Sequence, residues 1–287
     1  MNMSMKHQAL ALAFPLTFPL ALTLAAQTPE AKSEVRPDVI QDNSFLLEEA
    51  YNQEPGVVQH INTFTKYHQS KDWLYTFTQE WPVPDLRHQL SFTLPYQQMN
   101  ASPDGRRATG DLMLNYRYQL LGDGDAKIAV APRFSLILPT GDEKQLRGNG
   151  ALGYQVNLPV SAVLTDTFVT HWNLGATYTP GAKNANGDKA DLSAWNFGQS
   201  LVWLASPTFN ALVEFAFTSG EVVAGPGLKA RSDSFYISPG LRWAINCPHG
   251  LQIVPGIAVP IGTGPSKGER AVFFYLSFEH PMWKPGR

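Results

Sequence analysis

"GDLMLNYRYQLLGDGDAKIAVAPRFSLILPTGD", residues 110–142, decides how the rest of the chain is read. Every second residue of its first half is apolar: Leu112, Leu114, Tyr116, Tyr118 and Leu120. Asp111, Met113, Asn115, Arg117 and Gln119 lie between them. After the Gly-Asp-Gly-Asp of residues 122–125, alternation resumes. Ile128, Val130, Pro132, Phe134, Leu136 and Leu138 stand against Lys127, Ala129, Ala131, Arg133 and Ser135. A period of two on both sides of a tight polar turn predicts a β-hairpin. Each arm is about eleven residues, roughly twice the usual strand in a water-soluble sheet. That is the length a tilted strand needs to cross a bilayer.

The pattern recurs. Strands are expected near 57–67, 73–81, 88–96, 111–121, 127–138, 154–164, 168–178, 192–205, 209–218, 234–245, 251–260 and 270–278. Their connections alternate between short turns (82–87, 122–125, 165–167, 206–208, 247–250) and longer links rich in Gly, Asp, Asn and Lys (97–109, 139–149, 179–191, 219–232, 261–268). The first link, 68–72, is short for its class. Short turns on one side and long loops on the other characterise an outer-membrane barrel with its long loops outside the cell. The predicted fold is therefore all-β, an antiparallel up-and-down transmembrane β-barrel of about 12 strands. Pro132, Pro239 and Pro255 fall inside expected strands, where each removes a ladder hydrogen bond and predicts a bulge or kink.

Composition excludes other classes. The 287 residues carry a net charge of −2 with no basic block, so no nucleic-acid partner is expected. Charged residues make up 16% and aromatics 11%, and the mean hydropathy of −0.18 excludes a bundle of transmembrane helices. Cys247 is the sole cysteine, which rules out an intrachain disulfide framework or a Cys-rich metal site. The N-terminus has Lys6, an apolar run over residues 9–26 and small residues before Gln27. This is the layout of a secretory signal peptide cleaved near Ala25 or Ala26; Pro15 and Pro19 argue against an uncleaved anchor. The expected organisation is a signal peptide (1–26), a periplasmic or lumen arm (27–56), the outer-membrane barrel (57–279) and a tail (280–287). Within the arm, "NSFLLEEAYNQ" (43–53) reads as a short helix or an ordered arm, able to occlude the narrow lumen of such a barrel.

The two faces differ in kind. Taking the more apolar parity of each strand as outward, that face holds Trp73, Tyr75, Phe77, Trp172, Trp195, Phe197, Trp203, Phe215, Phe217 and Trp243 and no charge. The other face holds Lys66, Glu80, Arg117, Arg133, Gln155, Asn157, His171, Asn173, Glu214 and Arg242, a lightly charged set suited to a lumen. Aromatics near strand ends, among them Trp81, Tyr96, Tyr154 and Tyr178, would form the interfacial girdles. Glu80, Arg117, Arg133, His171, Glu214 and Arg242 are the candidate solute-path residues. The arginines are expected to pair with Glu80 and Glu214 along or across the wall.

The segments "EEAYNQEPGVVQH" (48–60), "YTFTQEW" (75–81), "GDLMLNYRYQLL" (110–121) and "LPTGD" (138–142) resemble the outer-membrane "MetA-pathway of phenol degradation" transporter-like barrels. That resemblance covers most of the mature chain. It implies passage of small, hydrophobic or aromatic solutes across the outer membrane of a Gram-negative bacterium, with outer-membrane lipid and the barrel assembly machinery as partners. It brings no catalytic residue. The C-terminus departs from the pattern, since Val272, Phe274, Leu276 and Phe278 are followed by "EHPMWKPGR".

Nothing in the motifs supplies a cofactor or metal. His60, His171 and His249 lack ligand spacing, the Gly-Asp-Gly-Asp turn lacks the other ligands of a calcium loop, and the glycine-rich segment 262–268 opens no phosphate loop. Two alternatives to transport stand beside it: a structural or surface-binding barrel, and an outer-membrane lipid hydrolase. Against the hydrolase, Ser91, Ser135, Ser161, Ser200, Ser238 and Ser277 all fall on the lumen parity, although His68 and Ser70 lie near a rim.

Overall fold

The computed structural model describes residues 40 and 43–282. The expected signal peptide and the last residues of the tail lie outside the described residues. Twelve long paths cross the barrel wall: β1 (Val57–Tyr67), β2 (Trp73–Pro82), β3 (His88–Gln98), β4 (Leu112–Tyr118), β5 (Arg133–Leu138), β6 (Gly153–Thr165), β7 (Phe168–Lys183), β8 (Lys189–Ser206), β9 (Phe209–Gly225), β10 (Leu228–Trp243), β11 (Gln252–Ala258) and β12 (Ala271–Pro281). Each pairs antiparallel with its sequence neighbours, and β12 returns to pair along the whole of β1, from Val57↔Pro281 to Tyr67↔Ala271. The sheet closes on itself, leaving no edge whose backbone groups would go unpaired in lipid.

Burial is inverted relative to a water-soluble protein. Leu174, Val156, Phe274 and Phe197 are 55%, 53%, 48% and 43% exposed, while Ser135, Ser161, Ser200, Glu214 and Ser238 are 0% exposed. An exposed apolar wall around a buried polar interior is stable only when lipid is the outer solvent. Aromatic contacts mark both rims of that wall: Trp73–Tyr96 and Trp195–Phe217 at one end, Phe209–Trp243 and Trp81–Phe92 at the other.

The expected hairpin of residues 110–142 is present, with Leu112↔Leu138 through Arg117↔Arg133 in register. Its second arm is interrupted at Pro132: Ile128–Val130 and Arg133–Leu138 both pair with β6, and Tyr118 N–H donates to the Pro132 carbonyl across the break. The predicted kink is local, because a proline still accepts on its carbonyl side. Pro239 and Pro255 stay within continuous strands, paired opposite Val213 and Leu276.

Two sequence expectations need correction. First, Lys66 is not on the lumen face. In β1 the more apolar parity points inward, with Gln59, Ile61 and Thr65 buried, while Phe64 pairs with outward Tyr75 and Phe274. Lys66 therefore lies on the outward parity at the rim, where its ammonium donates to the Lys71 carbonyl. Apolar count fails in β1 because its inward residues pack on the arm rather than on water. Second, most of 179–191 and 219–232 is strand, since β7–β10 run 16, 18, 17 and 16 residues. Only residues 184–188 and 226–227 are turns. Outside the bilayer the outward face no longer has to be apolar, so the alternation signal fades while the ladder continues. There Glu221 accepts from Lys229 Nζ at 2.9 Å and from Ser193 N at 2.8 Å. Of the two readings of residues 43–53, a short helix or an ordered arm, the structure shows the second: irregular chain with bends at 45–47, inside the barrel.

The outer links are tied down by carboxylates. Asp104 pairs with Arg147 at 2.8 Å, and that hydrogen bond holds the Asp104 carboxyl well below the usual carboxylate range. Glu269 accepts from the backbone N–H groups of His68, Gln69, Ser70 and Arg270. Burial alone would raise its pKa, but the four donors keep it lowered.

Candidate functional site: the lumen wall and its arm

Inside the barrel the arm follows the wall from strand to strand. Leu46 N–H donates to Glu214 Oε1 on β9 (2.9 Å), Glu48 N–H to Asn173 Oδ1 on β7 (3.1 Å) and Ala50 N–H to Ser161 Oγ on β6 (2.8 Å). Asn52 N–H donates to Gln119 Oε1 (2.9 Å) and Gln53 N–H to Gln89 Oε1 on β3 (2.8 Å). Backbone donors that a helix would satisfy internally are thus satisfied by inward side chains of the wall. That substitution is the physical reason no helix forms. The Ser and Asn/Gln enrichment of the inner face supplies the acceptors.

The arm's charges are matched as well. Arg133 grips the Glu48 carboxylate, with Nη2–Oε1 at 2.7 Å and Nε–Oε2 at 2.9 Å. Arg242 reaches Glu49 Oε1 at 3.3 Å and donates to the Asn43 carbonyl at 2.9 Å. Arg117 donates to Asn52 Oδ1 (2.9 Å), to the Glu49 carbonyl (3.3 Å) and to the Tyr51 carbonyl (2.6 Å), and lies 3.8 Å from Glu80. All six candidate residues therefore lie on the inner side, and the arm brings five of them onto one ligand. Glu80 joins through Arg117. The expected pairing of arginines with Glu80 and Glu214 holds only for Arg117–Glu80. For Arg133 and Arg242 the partners are Glu48 and Glu49 of the arm.

Apolar arm residues take the other wall. Phe45 lies between Phe273 and Tyr275, each with its ring centroid 5.4 Å away. Gly240 and Gly256 make room for it: a Cβ there would lie 2.6 Å from Phe45 Cε2 and 2.5 Å from Cζ. Leu47 fills the corresponding space over Gly198. On the short-turn side of the arm a cavity of 790 Å³ remains, bordered by Glu54, Gln59, Glu80, Arg117, Gln252 and Glu279.

One constellation has the order of a hydrolytic triad. Ser161 Oγ lies 2.8 Å from His171 Nδ1, and His171 Nε2 lies 3.5 Å from Glu49 Oε1. Its geometry opposes that chemistry. Ser161 is 0% exposed and its oxygen is occupied by the Ala50 N–H. The carboxylate that would orient the histidine sits on the arm that covers the serine, so the set is never both complete and open to substrate. Ser161 Oγ accepts from the Ala50 N–H and shares a hydrogen bond with His171 Nδ1, while Nε2 faces Glu49. The trio acts as a latch on the arm.

No family model and no curated protein matches this sequence. Solved structures do match. The NanC porin superposes with a TM-score of 0.52 at 10% identity, covering 76% of this chain and 98% of that one. The COG4313 outer membrane channel from Pseudomonas putida F1 gives a TM-score of 0.60 at 12% identity, covering 81% and 97%. The fold is that of an outer-membrane β-barrel. At such identities the likeness speaks for architecture alone, and the resemblance to the MetA-pathway barrels rests on the segments quoted above.

Proposed function

We propose that this chain is an outer-membrane channel for small, largely uncharged or aromatic solutes, with the N-terminal arm as its internal stopper. The observation that carries this reading is the way the arm is held. Its backbone amides and its carboxylates are held by hydrogen bonds and ion pairs to a wall whose polar groups water can satisfy equally well once the arm leaves. The segments resembling the MetA-pathway barrels favour aromatic solutes, and sparse lumen charge of both signs favours neutral ones. Export through residues 1–26 and insertion by the outer-membrane assembly machinery belong to the same reading, which involves no cofactor and no covalent chemistry.

The test is solute flux through purified protein in liposomes, compared across uncharged aromatics, sugars and ions. Passage of neutral aromatics ahead of ions is expected. If no solute moves, the lumen-filling arm marks a structural or surface-binding barrel instead. Heat-dependent mobility on a denaturing gel, with a strand-dominated dichroism spectrum, checks that the reconstituted protein is the closed barrel.

A further inference from the structure

The Phe45 hollow differs from every other contact of the arm. It is built by two glycines on adjacent strands, Gly240 of β10 and Gly256 of β11, and by two aromatic side chains of β12, Phe273 and Tyr275, both 3% exposed. Val254 and Ala258, 1% and 2% exposed, belong to the same apolar cluster. A six-membered ring fits where two Cβ atoms would collide with it. Beside the hollow are two polar atoms with no partner: Glu214 Oε2 and Ser238 Oγ. Both residues are 0% exposed, and they stand opposite each other in register on β9 and β10. Ser238 is two residues from Gly240 on the same inner face, about 7 Å along the strand. That spacing matches half a ring plus one hydrogen bond to a substituent. Phenylalanine fills the hollow and leaves those two atoms unused, although buried polar groups are as a rule paired.

We infer that the hollow is a subsite for a solute with one aromatic ring and a hydrogen-bonding donor on it, such as a hydroxyl or an amine, and that Phe45 is its resident stand-in. This rests on the channel reading above. The solute ring replaces the Phe45 side chain between Phe273 and Tyr275. Its donor goes to the Glu214 carboxyl group, whose Oε1 loses the Leu46 N–H when the arm moves, while Ser238 Oγ accepts or donates alongside. Binding and arm displacement are then one competitive event, so the solute opens its own path. Discrimination follows from the site: a bare ring fills the hollow but leaves the oxygens unpaired, and a sugar offers donors but no ring.

The experiment uses full-length protein in detergent, in a Cys247→Ser, Ser44→Cys background. Ser44 is 2% exposed and next to Phe45, so its labelling rate by a soluble maleimide reads displacement of the arm at this point. Phenol and aniline should raise that rate saturably, toluene at least tenfold less potently, and glucose not at all. Phe45→Ala should bind phenol, followed by saturation-transfer NMR, at least tenfold more tightly. Phe45→Leu, a milder change, should fall between. Ser238→Ala should narrow the phenol-to-toluene preference without altering toluene. A purely structural Phe45 would give a ring-binding cavity in Phe45→Ala, yet no solute effect in the parent and no change of preference with Ser238→Ala; that pattern overturns the inference. Failure is separable from failure of the channel reading. Flux of neutral solutes without competition at Ser44→Cys sinks only the subsite; saturable competition without flux sinks only transport.

Discussion

Replacing Arg117 by alanine should loosen the second half of the arm by about two orders of magnitude. Arg117 is 4% exposed and makes three hydrogen bonds to arm acceptors, two of them at 2.9 Å or less. Hydrogen bonds from a charged donor contribute about 1.5–3 kcal/mol each. The loss also removes the cation beside Glu80, which is 7% exposed. Breaking a buried pair costs about 3–5 kcal/mol, but that part falls on folding as well as on docking. Counting only the two short bonds at their lower bound gives about 3 kcal/mol against docking, or roughly a hundredfold in the docked population. The amides of Ala50, Asn52 and Gln53 report it, because their protection comes from wall acceptors. Hydrogen exchange of that segment should accelerate about a hundredfold in Arg117→Ala, with single-channel conductance rising in step. Strands of the wall should keep their protection. Unchanged exchange over residues 50–53 would show that the arm is fixed by its apolar residues and that the arginine clamp is incidental.

Other outcomes follow from the same geometry. Leu136→Arg on the outward face should cost roughly 2–4 kcal/mol near the bilayer midplane and impair assembly, whereas an equal cost at Ser135 would invert the facing assigned here. In intact cells an impermeant maleimide should label Gly187→Cys, in the 184–188 turn, and leave Cys247 untouched; efficient labelling of Cys247 from outside reverses the topology. The Asp104–Arg147 clasp should persist into acid. Because the Asp104 pKa is depressed in the folded loop, its stabilisation is complete above the ordinary carboxylate pKa and is lost as pH falls through the lower folded value. Exchange at the Arg106 amide, which donates to Asp104, should therefore stay slow to well below pH 4 in the parent (roughly the free-Asp value) and become fast at neutral pH in Arg147→Ala.

Much of the wall was legible because lipid imposes a strict rule: inside the bilayer one face of every strand must be apolar. Tyr116, Phe134, Trp172 and Phe197 obey it, and their neighbours Arg117, Arg133, His171 and Gly198 turn inward. Where the rule lapses, reading fails. β1 turns Gln59 and Ile61 inward, where the arm meets them through Gln53 and Phe45, and so apolar count puts Lys66 on the wrong face. Beyond the rims, Glu221 and Arg231 face outward without penalty, and the extensions of β7–β10 read as loops. The arm's role had a signal in the sequence, a polar strand interior needing partners, but nothing local names those partners. Glu48 and Glu49 find Arg133 and Arg242 about 85 and 193 positions away along the chain, and only closure of the sheet brings them together. The glycines at 198, 240 and 256 are equally mute, since a glycine in a strand announces a close approach without saying what approaches.

The sequential attachment of the arm bears on how such a stopper would leave. Its grips are spread along the chain, from Arg242 on Asn43 through Glu214, Arg133 and Ser161 to Gln89 on Gln53, and the covalent root is at β1. A stopper fixed at one point pops out whole. A strip fastened like a row of press-studs peels, and from the part farthest from the root, because that part swings away without stretching the root. Each released fastener would widen the passage by one increment before the next gives way. Electrical recordings should then show a staircase of conductance levels rather than two, with the lowest step set by the Asn43–Phe45 end and the last by the Gln89 grip on Gln53.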